Sequence, residues 1–118
     1  MTVYICNAFS LSMYDRELQR TAAARKAPRP VENPRAYLDE VVQEQLELGS
    51  PITITSVVGH VDVAEIFSAI FSRRIPVNRI TVKLEQGDIA LVGQYVGPRL
   101  PEGATKLPEG ARIEWWIV

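Results

Sequence analysis

The sequence is poor in the residues that build several common kinds of functional site. It has one cysteine, Cys6, and one histidine, His60, which excludes an internal disulfide and a closed zinc site within one chain. No apolar run approaches the roughly 20 residues of a membrane helix, and residues 1–9 lack the basic stretch and cleavage site of a signal peptide. We therefore expect a soluble cytoplasmic domain without metal, cofactor or membrane partner.

The chain also lacks a clear excess of either positive or negative charge. Basic and acidic residues number 13 and 14, and the isoelectric point is about 5.8. A protein that coats DNA or RNA usually carries a clear basic excess. The sequence therefore predicts no stable complex with polymeric nucleic acid.

The residues that are present are sufficient for one folded domain, residues 1–118. Hydrophobic residues make up 47% of the chain and charged residues 23%, a balance typical of globular proteins. Alternating or continuous apolar segments predict strands, and apolar residues at helical spacing predict helices. The strands are expected at 3–9, 51–58, 78–85, 89–96 and 111–118, with a hairpin turn at 86–88, and the helices at 34–48 and 60–72. This order indicates an α/β (α+β) fold with a mixed sheet of about five strands flanked by helices.

Residues 15–35 differ from the rest of the chain in composition. They contain six basic residues, three acidic residues and three prolines. Such a composition is typical of a loop or a partly ordered insertion. If this segment carries the function, the protein is an adaptor that contacts a nucleic acid or another protein.

The junction between the second predicted strand and the second predicted helix is a candidate site. The strand ends at Val58, Gly59 follows, and a helix begins near His60. A helix start presents unpaired backbone N–H groups and a partial positive charge, which together attract anions. His60 could bind a phosphate oxygen there or donate a proton to a leaving oxygen, because imidazole titrates near neutral pH. The alternative is a structural histidine that caps the helix or packs on its own strand.

Two further patterns contain basic residues. Residues 73–83 carry four basic residues, Arg79 among them, and no acidic residue, so they could neutralise phosphates. Arg99 lies in a loop rich in proline and glycine with Glu102 three positions later, and its guanidinium could bind a phosphate. The alternatives are the solvated face of a half-buried sheet and an ordinary ion pair in a surface turn.

Small polar and aromatic side chains provide the remaining candidates. Asn7, Ser10 and Ser12 follow the first strand, where they could bind phosphate, ribose or base edges, or satisfy backbone groups in a turn. Trp115 and Trp116 could stack on bases. On a C-terminal strand, packing in the core or at a subunit interface is the better interpretation of the two tryptophans.

Five short motifs occur in a characteristic order along the chain. They are Asn-Ala-Phe-Ser at 7–10, Val-Gly-His at 58–60, Pro-Val-Asn-Arg at 76–79, Val-Lys-Leu-Glu at 82–85 and Arg-Leu-Pro-Glu-Gly at 99–103. In this order they resemble the viral ring nucleases, the type III anti-CRISPR proteins that have relatives in bacterial CRISPR loci. The resemblance covers residues 1–14 and about 52–118, whereas residues 15–50 are longer and more basic than it implies.

The resemblance implies a homodimer with a pocket across its twofold axis. The implied ligand is cyclic tetra-adenylate, and the implied reaction is its metal-independent cleavage to linear di-adenylate bearing a 2′,3′-cyclic phosphate. This reaction switches off the second messenger of type III CRISPR defence. By matching position, the general acid is His60, with Arg99 and Glu102 as its active-site partners. The candidate substrate-binding residues are Asn7, Ser10, Ser12, Gly59, Arg79 and Gln94.

Two other function classes stay open at the level of sequence. A non-catalytic protein that sequesters cyclic oligoadenylates would need the same binding residues as the enzyme. An adaptor would use the basic segment instead, and its binding to DNA or RNA would depend steeply on salt.

Overall fold

A mixed sheet of five strands organises the part of the chain that the computed structural model describes, residues 1–8, 29–85, 87–98, 103 and 106–118. The strands are β1 (Thr2–Cys6), β2 (Arg29–Val31), β3 (Thr53–Val57), β4 (Ile89–Val96) and β5 (Arg112–Ile117), and the helices are α1 (Pro34–Glu47) and α2 (Val61–Phe71). The predicted class, a single α+β domain with a mixed sheet, is confirmed. Neither helix of the described residues is long and apolar enough to cross a bilayer.

The strand order of the sheet is β2-β5-β4-β1-β3. β1 runs parallel to both β3 and β4, and Cys6 near its end lies opposite Val57 and Val92. β5 is antiparallel to β4 and β2. Because parallel strands end at the same edge of a sheet, the carboxyl ends of β1, β3 and β4 meet there.

Both helices pack on one face of this sheet. The larger core cluster joins residues of α1 and α2 to sheet residues such as Ile5 and Leu91. Their neighbours Cys6 and Val92 belong to a second cluster, because successive strand residues point to opposite faces. That second face is covered by an extended segment, residues 78–85, which contributes Val82 and Leu84.

Helix α1 begins and ends at residues suited to those positions. The Asn33 side chain accepts a hydrogen bond of 3.0 Å from the backbone N of Ala36, and Pro34 is the first helical residue. Gly49 follows the helix with a φ of +67°, a left-handed conformation that glycine adopts without strain. The helix predicted at 34–48 and its stop at Gly49 therefore agree with the structure.

Aromatic packing joins α2 to the sheet. The ring centroids of Phe67 and Trp115 are 4.7 Å apart, and those of Phe71 and Trp115 are 5.2 Å apart. Gly93 makes this approach possible, because a Cβ atom there would lie 2.6 Å from the Trp115 ring. Trp115 is thus a core residue, as the sequence favours.

The strand predicted at 78–85 and its pairing with 89–96 are wrong, although a turn does join the two segments, where the Asp88 N–H donates a bond of 3.0 Å to the Glu85 carbonyl oxygen. The segment is extended, but it lies across the second face of the sheet and is not a strand of it. Val82 and Leu84 are buried while Arg79, Thr81 and Lys83 are exposed, which produces the alternation that predicts a strand. Alternation reports one buried side and does not require a hydrogen-bonded neighbour.

The interpretation of residues 15–35 as a loop needs a partial correction. Residues 29–31 form β2, which pairs antiparallel with β5 and places Pro30 opposite Trp116. Proline cannot donate to a strand ladder, so this short segment gives a weak strand signal. The sheet therefore has five strands, as predicted, but β2 is one of them and residues 78–85 are not.

Candidate functional site

The carboxyl edge of the parallel strands brings together several of the predicted site residues. Asn7 follows β1, and Gly59 and His60 follow β3. Arg79 reaches the same place from the extended segment and contacts Gly59. We call Asn7, Gly59, His60 and Arg79 the Gly59 corner. The location agrees with the general position of ligand sites in sheets with parallel strands.

The peptide groups of Gly59 are held from two sides. The Asn7 Oδ1 atom accepts a hydrogen bond of 3.4 Å from the Gly59 N–H. The Arg79 Nε–H donates a bond of 2.6 Å to the Gly59 carbonyl oxygen. The corner is therefore fixed by side chains that come from 52 residues before it and 20 residues after it.

His60 occupies the N-cap position of α2 but does not cap the helix through its side chain. Its backbone is extended, with φ −130° and ψ 137°, and its side chain makes no capping hydrogen bond. Its carbonyl oxygen accepts the first helical bond, 3.0 Å from the Ala64 nitrogen. The imidazole is exposed, so the structural alternative of a histidine buried in its own strand does not hold.

Asp62 is the acidic residue in the first turn of α2. A carboxylate at this position interacts favourably with the helix dipole. It also opposes the approach of an anion to the backbone N–H groups of the same turn. Arg79 provides a positive charge at this corner to counter it.

The backbone conformation does not explain why residue 59 is a glycine. Gly59 does not have a positive φ, and a Cβ atom there would lie 3.6 Å from the Arg79 Cγ, an ordinary contact. A side chain there would instead lie against the Cγ and Nε atoms of Arg79. The substrate-binding role of Gly59 stays a prediction.

Two residues that are not among the predicted site residues support the corner. Ser56 donates a bond of 2.6 Å from its hydroxyl to the Pro76 carbonyl oxygen. Asn78 donates a bond of 2.8 Å from its side-chain amide to the Ser56 carbonyl oxygen. The signal in the sequence is a serine between Ile54 and Val58 on the inward side of β3, and an asparagine directly before Arg79.

Gln94 lies on the same sheet but farther from His60. It is exposed on β4 and pairs with Glu114 of β5. β1 lies between β4 and β3. The backbone of β4, which carries Gln94, is therefore about 10 Å from the backbone of β3, which leads to His60, because this is twice the strand spacing. A ligand of nucleotide size would be needed to contact both places.

The other predicted site residues lie outside the described residues. These are Ser10, Ser12, Arg99 and Glu102. Their predicted roles stay predictions.

The basic strip at 73–83 does not act as one surface. Arg73 lies 3.9 Å from the Asp39 carboxylate of α1, and both side chains are exposed, so this pair contributes little stability. Arg79 points instead to Gly59. Of the named arginines of the strip, Arg79 is the one that reaches the corner.

The thiol beneath the corner belongs to a packing residue of the second core cluster. Cys6 directly precedes Asn7 and is fully buried, and burial raises the pKa of the thiol to about 12. A protonated thiol is a poor nucleophile and a poor metal ligand. Within the described ranges, no three His, Cys, Asp or Glu side chains are grouped so that they could hold a metal ion.

Comparisons with known proteins place this fold. No curated protein matches the chain. The solved structure of B116 of Sulfolobus turreted icosahedral virus is similar, with a TM-score of 0.67 and 21% sequence identity over 99% of this chain and 97% of that chain. The family model described as STIV B116-like matches residues 3–111, a range that includes the basic segment. Because this range is most of the 118 residues, the chain belongs to the STIV B116-like family.

Proposed function

We propose that this protein is a metal-independent ring nuclease that cleaves cyclic tetra-adenylate to linear di-adenylate with a 2′,3′-cyclic phosphate. The observation that carries the proposal is the exposed His60 side chain, which makes no capping bond to its helix and follows a glycine that Asn7 and Arg79 hold in place. The motif resemblance supplies the substrate. B116, the similar solved structure, is a viral protein, which fits an enzyme that acts against a host messenger in the host cytoplasm.

The reaction needs no external nucleophile, because RNA carries its own. The ribose 2′-oxygen attacks the adjacent phosphorus and forms the cyclic phosphate, while the bond from phosphorus to the 5′-oxygen breaks. The 2′-proton leaves to solvent or a base, and the 5′-oxygen receives one. In this proposal His60 donates that proton.

The other corner residues bind and orient the ring. The Arg79 guanidinium is cationic and carries several donors, so it stabilises charge on the phosphate as the pentacoordinate state forms. Asn7 uses its side-chain oxygen on Gly59, and its amide NH₂ can donate to a phosphate or ribose oxygen. Arg99 and Glu102 act as the active-site partners, and Ser10, Ser12 and Gln94 as further contacts to the ligand.

A homodimer completes the proposal. A ring of four equivalent nucleotides has twofold symmetry, and two copies of the Gly59 corner related by a twofold axis would address opposite phosphodiesters. Cleavage at both gives two identical di-adenylates. No water is consumed, because each product retains a cyclic phosphate and a free 5′-hydroxyl.

The test is incubation with cyclic tri-, tetra- and hexa-adenylate in EDTA, followed by chromatographic identification of the products. We expect di-adenylate with a cyclic phosphate from the tetra-adenylate. His60→Ala should still bind this ring and should lose turnover by about 10²–10⁴-fold, the usual contribution of acid catalysis. Val61→Ala is the matched control, because Val61 is the next residue of the helix start and its side chain is exposed.

Ligand in excess over protein separates the enzyme from a protein that only sequesters the ring. An enzyme converts many equivalents, whereas a sequestering protein stops at one equivalent or converts none. An uncleaved ring in all three reactions would contradict the proposal. Equal rates for His60→Ala and the unmodified protein would contradict the role of His60.

A further inference from the structure

We propose that Asn78 is a positioning residue for this reaction, because it fixes the Arg79 guanidinium and the Gly59 peptide in one arrangement. The inference rests on the proposed function for its catalytic meaning. Asn78 itself is half-buried and follows the extended turn that leaves α2. It acts through Arg79 and Gly59, not through the ligand.

Asn78 donates two hydrogen bonds to the end of β3 and the residue that follows it. Its backbone N–H donates a bond of 2.9 Å to the Val58 carbonyl oxygen. Its side-chain amide donates a bond of 2.8 Å to the Ser56 carbonyl oxygen. Two donors from one residue to alternate carbonyl groups of one strand fix both the distance and the direction of the incoming chain.

The next residue along the chain continues this contact. The Arg79 Nε–H donates a bond to the Gly59 carbonyl oxygen, with 2.6 Å between the Nε and oxygen atoms. The carbonyl groups of Ser56, Val58 and Gly59 are thus all bound by two consecutive residues. Loss of the Asn78 amide would release one of these three bonds and widen the range of positions open to Arg79.

The position of Arg79 matters because its long side chain is exposed. Such a side chain samples many rotamers unless a hydrogen bond selects one. Catalysis is sensitive to small displacements of groups that stabilise charge, and a shift of about 1 Å can cost 10²-fold in rate. Asn78 therefore affects kcat more than it affects the binding of the ring.

The experiment compares Asn78→Ala with Thr81→Ala in the cleavage assay. Thr81 is exposed on the same extended segment, so its substitution controls for changes in that segment. We expect kcat for cyclic tetra-adenylate to fall by about tenfold in Asn78→Ala, with KM changed by less than about threefold. Thr81→Ala should keep both values.

A second readout does not depend on activity. In NMR spectra the Arg79 Nε–H should exchange with water at least about tenfold more slowly than that of the exposed Arg74, because it is hydrogen-bonded. Asn78→Ala should remove this difference. If the protein does not cleave the ring but this result holds, the proposed function fails and the positioning contact stands.

Two results would overturn the positioning role. The first is an Asn78→Ala variant with unchanged kcat and an unchanged Arg79 exchange rate. The second is loss of folding in both Asn78→Ala and Ser56→Ala, which would assign these contacts to stability alone. Where both variants fold, Ser56→Ala should also lower kcat and speed the exchange of the Arg79 Nε–H. The reason is that the Ser56 hydroxyl donates a bond to the carbonyl oxygen of Pro76, two residues before Asn78.

Discussion

The two helices begin in different ways. At the start of α1, the Asn33 side chain accepts a bond from the Ala36 nitrogen, and Pro34 needs no partner for its nitrogen. At the start of α2, the His60 side chain makes no such bond. The first start is completed by its own residues, whereas the second has no cap from the side chain of its N-cap residue. Under the proposed function, this difference reflects a start of α1 that serves stability and a start of α2 that serves the ligand.

The largest expected effect comes from giving the second start the cap of the first. In His60→Asn the new side chain can accept a bond from the first turn, so the protein should gain up to about 1 kcal/mol of stability. Cleavage of cyclic tetra-adenylate should fall by about 10²–10⁴-fold, because asparagine cannot donate the proton. Thermal unfolding and the cleavage assay measure the two changes.

This substitution separates folding from catalysis in one variant. A loss of activity together with a gain in stability cannot be attributed to a damaged helix. Retained cleavage would remove His60 from the mechanism. A loss of stability would show that the imidazole already contributes to packing.

The second effect is a pH dependence of the free energy of unfolding, caused by the buried Cys6 thiol in the sheet beneath the corner. The folded-state pKa of Cys6 is raised to about 12 from an ordinary value of 9.0, because the thiol is buried. Below pH 9 the thiol is neutral in both states, and its contribution to the free energy of unfolding is fully present. As the pH rises from 9 to 12 the thiol ionises in the unfolded chain first, so this contribution is lost. At pH 10 the loss should be about 1.4 kcal/mol, one pKa unit. Chemical unfolding at pH 7 to 10 measures it.

The matched variant is Cys6→Ala, which should be less stable at pH 7 but should decline less steeply above pH 9. Some decline should persist, because burial and the charge of Asp88 also raise the pKa of Tyr4. A thiol reagent should react with the native protein far more slowly than with the unfolded chain. Rapid reaction in the native state would contradict the buried thiol.

The smallest effect is expected at the start of α1. Asn33→Ala removes the bond to Ala36 and should cost about 1 kcal/mol, or about 4 °C in melting temperature. Cleavage activity should not change, because this start is not part of the Gly59 corner. A change in kcat would show that the two helix starts are coupled, and would remove the distinction between them.

The sequence was informative where one local pattern is sufficient. The cap and stop of α1 follow from Asn33, Pro34 and Gly49, and the bounds of β4 follow from its apolar run. The pattern was misleading at 78–85, because alternation records burial of Val82 and Leu84 without recording what the backbone pairs with.

Long-range contacts explain what the sequence could not predict at the site. Position in the chain and a family resemblance singled out Gly59, His60, Asn7 and Arg79. Nothing local indicates that Asn7 binds a residue 52 positions away. The role of Asn78 was hidden for the same reason, since its partner carbonyl is 22 residues earlier.

The composition of β2 has a consequence for the behaviour of the protein at high concentration. An open strand at the border of a sheet can recruit the same strand of another molecule, and growth from such borders leads to fibres. β2 is three residues long and includes Pro30, which has no N–H to offer. We therefore expect concentrated solutions to stay free of ordered aggregates that grow from this border.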